Sequence, residues 1–68
     1  MGKKKNPTAG RKYVVKAIDL QSGNTYVEPE SRDNPLTDLK AAHRKADQFA
    51  SECRQMTGRG YFPVVDWI

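Results

Sequence analysis

A chain of 68 residues has room for one domain, and at that size it buries only about 60% of the surface it exposes when unfolded. With 37% hydrophobic and 29% charged residues it is too apolar for a wholly disordered chain, and no apolar run approaches the roughly 18–20 residues that span a bilayer. One cysteine cannot staple a fold, and one cysteine with one histidine is too few ligands for a structural zinc, so neither a metal nor a cofactor is expected.

The net charge of +4 is unevenly spread. Residues 1–16 hold Lys3, Lys4, Lys5, Arg11, Lys12 and Lys16 with no acid. Residues 17–39 hold Asp19, Glu28, Glu30, Asp33 and Asp38 against Arg32 alone. Basic residues prevail again from Lys40 to Arg59. Such asymmetry favours an anionic partner for part of the surface and leaves the acidic middle for something basic. The basic start is followed by no apolar stretch, so no secretory signal is expected and a reducing, cytoplasmic setting is the simplest.

Residues 1–11 read as a disordered basic arm, since three adjacent lysines repel one another and Asn6, Pro7 and Gly10 interrupt any hydrophobic period. From 12 the chain reads as a single domain. Residues 12–20, KYVVKAIDL, form a first strand with Tyr13, Val15 and Ala17 expected on the buried side, because Lys16 in the other row should reach water. Residues 21–24 form a turn, and 25–28 a second strand that Pro29 ends. Residues 30–35 read as a polar loop.

The stretch 36–60 carries Leu39, Ala42, Ala46, Phe49, Ala50, Cys53 and Met56 at helical spacing. A helix of about 20 residues follows, with Asp33 or Asn34 as its cap, Pro35 in its first turn and Gly58 as its stop. Residues 61–68, YFPVVDWI, form a third strand, and Pro63 marks it as an edge. The expected fold class is α+β: a β-β-α-β domain with a three-stranded antiparallel sheet in the order 2-1-3 and one helix on one face. The other face would expose Val14, Ile18 and Leu20, with either Tyr61 and Trp67 or Phe62 and Ile68. An uncovered apolar face marks an interaction surface, self-association included.

No catalytic constellation is visible. His43 has no nucleophile or carboxylate at a productive spacing, Cys53 sits inside the apolar stripe, and Gly58-Arg59-Gly60 lacks the glycines and lysine of a phosphate loop. The expectation is a non-enzymatic binding module, in the first place a nucleic-acid-associated accessory protein using its basic arm and helix face, with a protein-binding adaptor or inhibitor as the alternative. For a nucleic acid the candidates are Lys3, Lys4, Lys5, Arg11, Lys12, Lys16, Lys40, Arg44 and Arg59, which can neutralise phosphates. For a protein partner they are Glu28, Glu30, Asp33 and Asp38, with Tyr61 and Trp67 on the last strand. A helix face with Arg44 paired to Asp47 is the plainer reading of the helical charges. In layout, two strands, a helix and a closing strand in under 70 residues resembles the small phage-encoded inhibitors of bacterial RNA polymerase. The resemblance implies a protein that binds a host machine rather than an enzyme.

Overall fold

The computed structural model describes residues 11–68. The expected basic arm lies outside them except for Arg11. The elements are β1 (Tyr13–Asp19), β2 (Thr25–Val27), α1 (Pro29–Asp33), α2 (Leu39–Thr57) and β3 (Tyr61–Trp67). The three strands form one antiparallel sheet in the order β2-β1-β3, and α2 packs on β1 and β3. The fold class and strand order are those the sequence implies.

The burial of β1 alternates along its length. Tyr13, Val15, Ala17 and Asp19 are buried, and the residues between them are half-buried. Its buried row meets Ala42, Ala46 and Ala50 of α2, with Leu36, Leu39, Phe49 and Val65 packed around them. Alanine every four residues keeps the helix face flat, so α2 lies close along β1 and its larger side chains fall to the flanks.

Two expectations for the helix need correction. Its start is Leu39, capped by Asp38, whose carboxylate accepts the Lys40 N–H at 3.2 Å; Asp33, Asn34 and Pro35 are not part of it. Leu36 is held in an extended bridge with Tyr13 by two backbone bonds of 2.7 and 2.9 Å, which excludes it from the helix. Met56 is 84% exposed rather than core, because the buried row of β1 ends in a carboxylate, Asp19, and the last turn of α2 lies beside an open groove instead of against the packed core. Gly58 ends the helix as expected, in the left-handed conformation at φ 77°, and its N–H donates to the Arg54 carbonyl.

The segment expected as a polar loop contains α1. Glu28 caps this helix, its carboxylate accepting the N–H groups of Glu30 (3.1 Å) and Ser31 (2.6 Å), and Pro29 opens it. The short helix answers a hydrogen-bonding need of the sheet. β2 is only three residues long, so β1 runs past its end with edge groups still to be satisfied. The Glu28 N–H donates to the Val15 carbonyl, the buried Ser31 hydroxyl accepts the Val15 N–H at 2.9 Å, and Leu36 pairs with Tyr13. Ser31 in turn donates to the Glu28 carbonyl.

Candidate functional site

The registers assign each strand residue to a face. Residues paired across an antiparallel ladder share a side. Tyr26, Tyr61, Pro63, Val65 and Trp67 therefore belong to the helix side, with Tyr13, Val15, Ala17 and Asp19. The open side carries Val14, Lys16 and Ile18, continued by Leu20 and flanked by Val27, Phe62, Val64, Asp66 and Ile68. Of the two β3 rows the sequence leaves open, the Phe62 and Ile68 row is the uncovered one. Phe62 is 57%, Leu20 66% and Ile68 75% exposed. One charge pair crosses this apolar face, with the Lys16 ammonium 2.9 Å from Asp66.

The candidate basic residues do not form one patch. Lys3, Lys4 and Lys5 lie outside the described residues. Lys16 is engaged with Asp66, and the Arg11 guanidinium lies 4.3 Å from the ring centre of Trp67. The Nε of Arg59 donates to the buried carboxylate of Asp19 at 2.9 Å. Lys12, Lys40 and Arg44 are exposed, and the ion pairs among the described residues do not include them; Arg44 makes no pair with Asp47. Instead Lys45, on the flank of α2, reaches Glu30 of α1 at 2.6 Å.

The acidic candidates are largely absorbed by the fold. Glu28 and Asp38 cap helices, Glu30 ties α1 to α2 through Lys45, and Asp33 lies 3.4 Å from its neighbour Arg32. Asp19, which the sequence offers only as one more acid, is the most constrained of all. It accepts the Gln21 and Ser22 N–H groups at 2.9 and 3.3 Å as well as Arg59. Burial alone would raise its pKa, but those two amides and the guanidinium outweigh burial and hold it below the ordinary value. The Lys45 ammonium lowers Glu30, and Lys16 with the Trp67 N–H lowers Asp66.

Nothing in the site favours a nucleophile. Burial, and then the charge of Glu52, push the Cys53 thiol up, away from the thiolate form that attacks. His43 is exposed on α2, and no cluster of metal-ligating side chains occurs among the described residues. None of the helices among them is long and apolar enough to cross a membrane.

Both sheet edges can be read from the ladder. Leu20 donates to the Gly60 carbonyl and Ile68 to the Lys12 carbonyl, so the even-numbered residues of β3 bond to β1 and the odd-numbered ones face outward. Pro63 is at an outward position, where its missing N–H costs no ladder bond. The outward Trp67 N–H is taken by the Asp66 carboxylate at 2.9 Å. Only Tyr61 and Val65 are left to offer outward donors on β3, which makes this a guarded edge.

The architecture thus defines a small α+β domain, a three-stranded antiparallel sheet with one main helix on one side. Comparison with known proteins finds no matching family model, curated protein or solved structure.

Proposed function

We propose that the chain is a small non-enzymatic binding module whose partner is a protein, docked on the uncovered face of the sheet. The observation that carries this reading is the exposure of Phe62, Leu20 and Ile68 around Ile18 and Val64, on a side that no second layer among the described residues covers. Contiguous apolar surface of this kind marks an interaction site. A second copy is the weaker occupant. Two strands of seven residues and one of three, at about 3.3 Å per residue and about 4.8 Å apart, offer roughly 270 Å² in plan, well short of the ~800 Å² per partner of a stable pair. A larger protein that also grips the surroundings of the sheet fits better, as the layout resemblance to polymerase inhibitors would have it. Cytoplasmic location accords with the free thiol of Cys53.

The test is capture from a nuclease-treated cell lysate by the immobilised chain, run beside Phe62→Glu and a Lys40→Glu/Arg44→Glu double variant. The expected result is one stoichiometric protein that the parent chain and the double variant retain and Phe62→Glu loses. Retention of that protein by Phe62→Glu contradicts the reading.

A second reading keeps a nucleic acid as partner, and one observation favours it. Lys12, Lys40 and Arg44 are exposed cations outside the ion pairs among the described residues, and the Lys3–Lys5 run adds to them in sequence. It requires affinity that falls steeply with salt. A gel-shift series showing no complex near ~50 mM salt rejects it.

A further inference from the structure

The helix side of the sheet is not fully covered either. Because α2 lies over β1 and β3, the strip above β2 is left as a groove of about 390 Å³. Its walls are Phe49, Cys53 and Met56 of α2, its floor is the Tyr26 and Tyr61 pair with ring centres 6.2 Å apart, and Arg59 stands at its rim. The groove runs beside the free edge of β2.

That edge is unlike the guarded edge of β3. Asp19 donates to the Asn24 carbonyl and Glu28 to that of Val15, so Tyr26, midway between them, is the β2 residue bonded to β1. The N–H and C=O groups of Thr25 and Val27 therefore face away from the sheet. Among the described residues no proline and no neighbouring carboxylate occupies them: Pro29 falls past the end of β2, the backbone bonds of 24 and 28 run inward, and the Glu28 carboxylate is turned to Glu30 and Ser31. An open edge and an adjoining apolar groove together are the two components of recognition by strand addition, where main-chain bonds supply affinity and alternate side chains supply selectivity.

We infer that β2 and the adjoining groove bind an extended segment of another protein, which adds as a fourth strand on Thr25 and Val27 and inserts a bulky apolar side chain beside Met56 and Tyr26. The charge of the groove sets the flanking chemistry. Among its lining residues Arg59 is the one charged group, and no acid is present. Its Nε is spent on Asp19 and the Tyr61 hydroxyl also draws on the guanidinium, but its side chain is 43% exposed and the remaining donors can take an incoming carboxylate. The segment is thus one with an acidic residue next to its apolar anchor. This surface is on the opposite side from Phe62 and Ile68, so its test stands apart from that of the open face.

The experiment selects random nonapeptides displayed on phage against the full chain, then measures the enriched peptide by fluorescence anisotropy. Enrichment of alternating apolar residues with an acidic residue is expected. Val27→Pro removes an outward N–H by the device Pro63 uses on the other edge, and Met56→Glu alters a side chain already in solvent. Each is expected to weaken the peptide at least tenfold, and exchanging the peptide's acid for its amide about threefold. Should Val27→Pro fail to fold, Met56→Glu carries the result. Failure to enrich any such peptide overturns the inference. So does binding that survives Met56→Glu, or one that is lost in Phe62→Glu instead.

Discussion

Ser31 shows how much one short side chain decides. It is fully buried, accepts the Val15 N–H and donates to the Glu28 carbonyl, so it completes the edge of β1 where β2 has run out. Ser31→Ala leaves the Val15 donor buried without a partner, a loss of about 1–3 kcal/mol. In a domain this small that should lower the thermal midpoint by about 4–8 °C per kcal/mol, measurable by circular dichroism. An unchanged midpoint would show that another group satisfies Val15. Asp19, Glu30 and Asp66 all titrate below their ordinary values of 3.8, 4.5 and 3.8. The folded protein therefore releases those protons more readily than the unfolded chain. Their stabilisation is complete above the ordinary values and is lost as pH falls through the lowered ones. The midpoint should be level from about pH 7 to 5 and decline below about pH 4, and Asp19→Asn should flatten the decline. An equally steep decline in Asp19→Asn would remove Asp19 from the account.

At the scale of elements, the two sheet edges differ in design. The long edge of β3 is guarded by Pro63 and by the Asp66 carboxylate on the Trp67 N–H. Pro63→Val restores an outward donor without disturbing a bond to β1, and the expected outcome is self-association visible as a concentration-dependent shift in gel filtration. A variant as monomeric as the parent would show that the edge is protected by other means. β1, α2 and β3 are legible from the sequence because period and composition act locally: a short run rich in Tyr, Val and Ile in one, a four-residue alanine spacing in the next, and a Pro-marked run in the last. α1 is not legible, because five residues of mixed polarity carry no period, and what holds them is the unpaired edge of a strand 16 residues earlier. A still longer separation in sequence hides the start of α2, since only the pairing of Leu36 with Tyr13 moves it from the proline to Asp38. The open apolar face is legible from the alternation along β1, although which β3 row lies on it takes the register to decide. The charged candidates are legible only as charges, and which of them the fold engages, as it does Glu28, Glu30 and the Nε of Arg59, depends on contacts up to 40 residues apart.

For the whole molecule, one 19-residue helix packs on one side of a three-stranded sheet, over β1 and β3. The core that results is thin: Tyr13, Val15 and Ala17 against three alanines. A domain of this size has only ~3–5 kcal/mol of stability, so each buried group matters while the other side of the sheet contributes little. This asymmetry is what frees Phe62, Leu20 and Ile68 to serve a partner. Denaturant unfolding of Phe62→Glu beside Val15→Ala tests it most directly. The account predicts that Val15→Ala loses roughly 2–3 kcal/mol while Phe62→Glu stays within about 1 kcal/mol of the parent chain. A loss in Phe62→Glu as large as that in Val15→Ala would mean that the face is packed rather than open, and would contradict it.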